Sequence, residues 1–146
     1  MKFLGLNDFQ FKDQHVLLRL DLNAPIKDGA VTNDERLVRS LPTINHILNN
    51  EGKLIVISHL GRPKENGELQ PDFSLSPVVK RLEQLLNRSI NLITDVNNIP
   101  PIETGEMIVL AVSNISWCFL KLSGAISKID SPSSTRSTCF IEPCFC

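Results

Sequence analysis

The chain has 146 residues, of which 42% are hydrophobic and 21% charged, and its formal net charge is -1. This length and apolar fraction fit one domain with one hydrophobic core, and the near-neutral charge gives no electrostatic bias toward nucleic acid. The N-terminus lacks the basic segment and apolar run of a secretory signal, because Asn7, Asp8 and Gln10 closely follow Lys2. We therefore expect a cytoplasmic protein.

The composition changes near Ala111. All 4 cysteines, the single tryptophan and most of the serines lie beyond it, whereas most of the charged residues lie before it. Because the two parts differ, arguments from charge or cysteine content must treat them separately. Two different compositions are therefore joined near Ala111.

The first predicted strand is the apolar run Val16–Leu20, which leads into a polar loop ending at Pro25. Asp21 and Asn23 in this loop are separated by the apolar Leu22, so an extended backbone would aim both polar groups the same way. Together they could bind a hydroxyl or a carboxylate. Alternatively, they only shape the turn before Pro25.

A helix is predicted after Thr32–Asp34, whose side chains are candidate caps. A proline, Pro42, interrupts the helical pattern, so we expect the helix to be kinked or restarted near it. The apolar residues recur at helical spacing: Leu37, Leu41, Ile44, Ile47 and Leu48.

The second predicted strand, Leu54–Ser58, is followed by a long loop rich in glycine and proline. Structureless stretches of this length are uncommon in compact domains, which favours a functional site here. A second helix is expected with Ser76 as its N-cap and Pro77 at its first position. Its apolar face comprises Val78, Val79, Leu82, Leu85 and Leu86.

Ile90–Ile93 and Met107–Leu110 are two further candidate strands. The alternation of strands and helices predicts an α/β fold with a parallel sheet and helices packed on it. Ligands of such sheets gather at the carboxyl ends of the strands. The polar loops that begin at Asp21 and Ser58 both fall at that edge.

The loop after the second strand carries His59, Gly61 and Arg62. Gly61 permits close backbone approach, and His59 and Arg62 can donate hydrogen bonds to an anion, with Arg62 able to grip phosphate oxygens in a bidentate fork. Alternatively, the stretch is a solvated loop. Its spacing does not match the phosphate-binding pattern Gly-x4-Gly-Lys-Ser/Thr.

Two further arginines have different surroundings. Arg36 follows Asp34 and Glu35, so it either faces a ligand or belongs to a charged, solvated first helical turn. Arg19 lies inside the first apolar run, and an arginine buried in a strand needs a partner or a ligand. Asp21 is its nearest candidate partner by sequence.

The segment His15–Pro25, in which an apolar strand leads into Arg-x-Asp-x-Asn-small-Pro, resembles the signature segment of phosphoglycerate kinases. Further segments follow in that family's order and at about its spacing: Thr32–Arg36, Ser40–Ile44, Ser58–Pro63 and Phe73–Pro77. The resemblance covers most of this chain but only a minor part of a complete family member. It implies that residues 1–110 form a Rossmann-like parallel sheet with flanking helices, which is an incomplete N-terminal domain, and that residues 111–146 are a divergent tail outside the family fold.

The resemblance also implies a function, since this family transfers a phosphoryl group between ATP, with Mg²⁺ on the nucleotide, and the carboxylate of 3-phosphoglycerate in glycolysis. The family is typically monomeric and needs no membrane or nucleic-acid partner. By this resemblance Arg36 would be the catalytic arginine. Substrate would also contact Asp21, Leu22 and Asn23 at its hydroxyl and carboxylate end, and His59, Leu60, Gly61 and Arg62 at its phosphate.

The sequence leaves the family pattern after Leu110, where Ala111–Trp117 replaces a Glu-Asn-Val/Ile-Arg-Phe segment whose arginine contacts the substrate phosphate. We therefore expect an incomplete phosphate pocket, and we expect the nucleotide-binding residues of the C-terminal domain to be absent. The alternative function is a truncated, catalytically inactive fragment that at most binds 3-phosphoglycerate.

The tail admits several interpretations, of which we favour out-of-frame or unrelated sequence. The stretch Met107–Ile126 has one charged residue, but polar residues interrupt it too often for a good membrane span. Cys139, Cys144 and Cys146 lack the usual spacing of a zinc site, and a cytoplasmic location disfavours disulfides.

Overall fold

The computed structural model describes residues 5–58 and 74–112, and the backbone of 139–141. A short 3-10 turn precedes an alternation of strands and helices that is the α/β arrangement predicted from the sequence. The elements are the turn Leu6–Asp8, β1 His15–Arg19, β2 Ile26–Lys27, β3 Ala30–Val31, α1 Glu35–Asn49, β4 Lys53–Ser58, α2 Ser76–Leu86, β5 Asn91–Ile93, β6 Met107–Ala111 and β7 Cys139–Ile141.

Five of the strands form one sheet in the order β5-β6-β4-β1-β7, and every neighbouring pair in it is parallel. The register places Leu18 of β1 opposite Val56 of β4, and Val56 opposite Val109 of β6. The predicted parallel sheet is therefore confirmed. The short strands β2 and β3 form a separate antiparallel hairpin.

Both helices pack against the same face of the sheet. Alternate residues of the central strands, such as Leu18 and Val56, join one buried cluster with Ile44 of α1 and Leu82 of α2. The connections through α1 and α2 cross the sheet in the same direction, from β1 to β4 and from β4 to β5. Crossovers of one hand running in one direction place their helices on one face.

The opposite face of the sheet has its own apolar cluster. Leu17, Ile55 and Leu110 point to this side and pack with Ile102 from the segment between β5 and β6. Because both faces are covered, the central strands read as continuous apolar runs rather than as alternating ones.

The helix α1 runs without interruption from Glu35 to Asn49 and contains Pro42. The predicted restart near Pro42 is therefore wrong. A proline in mid-helix removes one backbone donor, but the buried residues on both sides of it, Leu37 and Ile44, anchor the two halves to the same core. Packing outweighs the local preference here.

Some predicted boundaries are displaced by one residue. Ser76 is the first residue of α2 rather than its N-cap, and its amide donates to the Ser74 hydroxyl at 3.2 Å.

The burial expected for Arg19 is wrong, because β1 ends at this residue and leaves it exposed.

Among the described residues, no helix has both the length and the apolar character needed to cross a membrane. Most of the Met107–Ile126 stretch lies outside the described residues, as do the long loop at positions 59–73 and the side chains of the tail cysteines.

Candidate functional site

The carboxyl ends of β1, β4 and β6 meet at one edge of the sheet. The Leu20 amide donates to the Ile57 carbonyl at 3.1 Å, and the Val112 amide donates to the Ser58 carbonyl at 3.1 Å. These bonds continue the ladders just past the regular strands. They bring the loop that begins at Asp21 and the end of β4 to the same place, as the parallel sheet predicts.

The loop after β1 alternates between buried and exposed side chains. Leu22 and Ala24 are buried in the core, whereas Asp21 and Asn23 are exposed. The Asn23 amide donates to Asp21 Oδ1 at 3.1 Å, which is the side-chain turn expected if these residues only shape the chain before Pro25. The second carboxylate oxygen of Asp21 remains for another partner.

That partner is Arg36, whose Nη1 donates to Asp21 Oδ2. Arg36 is the second residue of α1, so the helix carries its guanidinium back to the carboxyl end of β1 across 15 positions of sequence. The two side chains are 55% and 52% exposed, and ion pairs this open contribute only about 0–1 kcal/mol. An anionic ligand can therefore replace the pair at small cost.

The Asp34 side chain makes no capping hydrogen bond to the first turn of α1, so other contacts fix the start of this helix. The Glu35 amide donates to Asn33 Oδ1 at 3.0 Å. Asp34 instead accepts from Arg81 of α2, through Nε at 2.8 Å and Nη2 at 2.6 Å. Both contacts set the direction of the first turn, and with it the position of Arg36.

The sequence did not single out the hydroxyl of Ser58. This side chain is fully buried, and its Oγ accepts from the Leu22 amide at 3.2 Å. The available signal was a polar residue that ends the apolar run of β4, since a buried hydroxyl needs a partner.

Four of the predicted site residues lie outside the described residues. These are His59, Leu60, Gly61 and Arg62. The structure thus brings together Asp21, Leu22, Asn23 and Arg36 of the predicted set.

A separate cleft of about 540 Å³ lies between the β2–β3 hairpin and α2. Its lining includes Thr32, Lys80 and Gln84, together with the paired Asp34 and Arg81, and shares no residue with the Asp21–Arg36 pair. Because Arg81 in this cleft already donates to the Asp34 carboxylate, its guanidinium is less available to bind an anionic ligand.

In the described part of the chain, no three His, Cys, Asp or Glu side chains could together hold a metal ion. Nor do residues 5–58 and 74–112 contain a glycine-rich phosphate-binding loop.

A family model described as "Phosphoglycerate kinase" matches residues 6–115. The chain belongs to the phosphoglycerate kinase family. It is 42% identical over 109 residues to a phosphoglycerate kinase of Francisella tularensis subsp. novicida (strain U112), covering 75% of this chain and 28% of that protein. It is 44% identical over 110 residues to that of Vibrio campbellii (strain ATCC BAA-1116), with the same coverage of 75% and 28%.

Solved phosphoglycerate kinases also share the fold. The structure from Coxiella burnetii is similar with a TM-score of 0.68 at 39% identity, covering 75% of this chain and 28% of that one. The structure from Pyrococcus horikoshii OT3 gives a TM-score of 0.64 at 30% identity, covering 74% of this chain and 27% of that one. The chain therefore spans little more than a quarter of the length of these phosphoglycerate kinases.

Proposed function

We propose that this chain carries the 3-phosphoglycerate side of a phosphoglycerate kinase site. The complete reaction would transfer a phosphoryl group between ATP, with Mg²⁺ on the nucleotide, and the carboxylate of 3-phosphoglycerate, as a glycolytic kinase does. The observation that carries the proposal is the meeting of Arg36 and Asp21 at the carboxyl ends of the strands, in a chain of this family.

The pairing of Arg36 with Asp21 suits a hydroxy acid. Asp21 can accept a hydrogen bond from a ligand hydroxyl, and Asn23 can donate its amide N–H groups to a ligand oxygen. The guanidinium of Arg36 has five N–H donors, so it can bond a ligand carboxylate while keeping contact with Asp21. The role of Arg36 would be to stabilise negative charge on the transferred phosphoryl group.

The phosphate of the ligand would be held by residues of the loop after β4. We assign this role to His59 and Arg62, with the backbone of Leu60 and Gly61 between them. Two donor side chains on either side of a glycine suit a phosphate, because the backbone can approach the oxygens closely at Gly61.

The second candidate function is phosphoglycerate binding without turnover, and the coverage of the relatives favours it. The matched region spans 28% of the Francisella protein. Phosphoryl transfer depends on positioning both substrates and excluding water. On this proposal the described residues bind 3-phosphoglycerate, and the reaction also requires residues that position the nucleotide.

Calorimetric titration of the chain with 3-phosphoglycerate tests this proposal, beside a coupled assay for its ATP-dependent phosphorylation. We expect saturable binding, and we expect Arg36→Gln to weaken it about tenfold or more, because a charge-assisted hydrogen bond is lost. The substitution should change the free energy of unfolding by less than about 1 kcal/mol, since the side chain is exposed.

The matched control is Arg39→Gln. Arg39 lies on the same helix, and its guanidinium pairs with Glu35 at 2.6 Å, so this variant also loses one exposed ion pair. Its affinity for 3-phosphoglycerate should stay within about twofold of wild type, because single exposed pairs contribute little. No binding by the wild-type chain, or equal loss in both variants, would refute the proposed site, and turnover would refute the second candidate.

A further inference from the structure

Ser58 lies where three parts of the sheet edge meet. It is the last residue of β4, its side chain is fully buried, and its Oγ accepts from the Leu22 amide at 3.2 Å across 36 positions of sequence. Its own carbonyl accepts from the Val112 amide at 3.1 Å. One residue thus bonds both the loop after β1 and the segment after β6.

The amide that Ser58 holds belongs to the residue between Asp21 and Asn23. The Leu22 side chain is 1% exposed and packs in the helix-facing core, so Leu22 is fixed at its side chain by packing and at its backbone by Ser58. The two neighbours of Leu22 are exposed and turn their polar groups away from that core.

The bond to Ser58 occurs where the regular ladder has ended. Among the described residues, the last backbone bond from the β1 side toward β4 runs from the Leu20 amide to the Ile57 carbonyl, and the Leu22 amide donates to the Ser58 hydroxyl. A buried amide that loses its acceptor carries a desolvation penalty, which the chain can relieve by moving the loop. Such a movement would displace Asp21 from Arg36.

We propose that Ser58 is a positioning residue for ligand binding, which acts through the Leu22 amide to set Asp21 and Asn23 relative to Arg36. This inference rests on the proposed function, because it concerns the same site. Ser58 itself does not touch the ligand. Its hydroxyl determines where the two polar side chains of the loop lie before the ligand arrives.

The test compares Ser58→Ala with Ser40→Ala. Both serines are buried, and Ser40 Oγ donates to the Leu37 carbonyl at 2.7 Å within α1, so each variant loses one buried side-chain hydrogen bond. The first readout is the dissociation constant for 3-phosphoglycerate by calorimetry. The second is the hydrogen-exchange rate of the Leu22 amide in the ligand-free protein, measured by NMR.

We expect Ser58→Ala to weaken binding about tenfold and to accelerate exchange at Leu22 by a similar factor, as loss of a buried acceptor implies. Ser40→Ala should leave both within about twofold of wild type, because its bond is local to α1. Equal effects of the two substitutions, or unchanged exchange at Leu22 in Ser58→Ala, would overturn the proposal.

If the Ser58→Ala variant does not fold, Ser58→Thr, which keeps the hydroxyl, tests the proposal in its place. A protected Leu22 amide with affinity near that of wild type supports the proposal, and a protected amide with the affinity lost contradicts it. If the wild-type chain gives no binding heat, the proposed function fails. The Leu22 exchange rates then still decide whether Ser58 fixes the loop.

Discussion

Gly52 joins α1 to β4 at a point where no side chain fits. Its amide donates to the Ile47 carbonyl at 3.0 Å, and a Cβ added to it would lie 2.7 Å from Ile47 Cγ2 and 3.3 Å from Phe11 Cβ. Both neighbours are buried, so neither can move freely. The close approach of the chain here depends on the absence of a side chain.

We predict that Gly52→Ala lowers the free energy of unfolding by about 1–3 kcal/mol, the usual range for overpacking a core. Urea denaturation followed by circular dichroism measures the loss. The control is Gly5→Ala, whose Cβ would meet only Asp8 Oδ2 at 3.8 Å, an ordinary contact. A Gly52→Ala variant as stable as the Gly5→Ala variant would contradict the steric argument.

At the residue scale, the sequence identified the members of the candidate site better than their contacts. Asp21 and Arg36 were both candidates, but their pairing depends on the path of the chain between β1 and α1, which no local pattern specifies. From the sequence alone, Asp21 was the nearest candidate partner for Arg19. The role of Ser58 was not predicted, because a serine at the end of a strand does not by itself indicate a partner. Only the fold shows that its hydroxyl accepts from the Leu22 amide.

The two helices are linked by an ion pair of intermediate exposure. Arg81 of α2 donates twice to Asp34, at the start of α1, and the side chains are 40% and 31% exposed. Arg81 also donates to Gln84 at 3.0 Å. This geometry holds the guanidinium in one orientation, so the pair should contribute more than a fully exposed one.

A double-mutant cycle with Arg81→Gln and Asp34→Asn should give a coupling free energy of about 1 kcal/mol. Thermal or urea unfolding of the four proteins measures it. The matching cycle for Arg39→Gln and Glu35→Gln, an exposed pair on one helix, should give about 0.3–0.5 kcal/mol. A coupling free energy no larger for Arg81 and Asp34 than for Arg39 and Glu35 would show that the first pair does not stabilise the contact between the two helices.

The strand β7 covers the edge of β1. Its backbone pairs in parallel with β1 in the register Val16↔Cys139, Leu17↔Phe140 and Leu18↔Ile141. Without it, β1 would expose unpaired backbone groups, which favour association with other chains. The interpretation of residues 111–146 as sequence outside the family fold stays a prediction, and this pairing shows what three of those residues do.

Phe140→Pro removes a backbone donor and restricts the chain within β7. We predict faster hydrogen exchange at the β1 amides and a shift toward oligomers in analytical ultracentrifugation. The control is Ser134→Pro, a proline in the same tail but outside Cys139–Ile141. Unchanged exchange in β1 would show that β7 does not protect it.

At the element scale, the sequence located the long apolar elements and missed the short ones. The β1, β4 and β6 strands lie within one residue of their predicted runs, because fully buried strands leave continuous apolar sequence. The β2–β3 hairpin was missed, since strands of two residues have no periodicity. The strand β7 was missed because the apolar residues of the tail, residues 111–146, follow neither helical nor strand spacing.

At the scale of the whole molecule, the parallel direction of the strands explains why the residues of the candidate site lie at one edge of the sheet. Parallel strands place the ends of β1, β4 and β6 at one edge, and α1 begins near that edge and presents Arg36 to it. The sequence predicted that the strand ends meet at this edge, because that depends on element order alone, whereas the place of Arg36 in the site was implied only by the resemblance. The covering of the second sheet face by a loop cluster around Ile102 could not be predicted, since that segment lacks regular structure.

An NMR titration of the chain with 3-phosphoglycerate tests the central claim, that this edge of the sheet is the ligand site. We predict saturable amide shifts at Asp21, Leu22 and Asn23 and in the first turn of α1, all with one dissociation constant. The amides of Lys80 and Gln84, in the cleft beside α2, should stay unchanged. No saturable shift, or the largest shifts at Lys80 and Gln84, would contradict the claim.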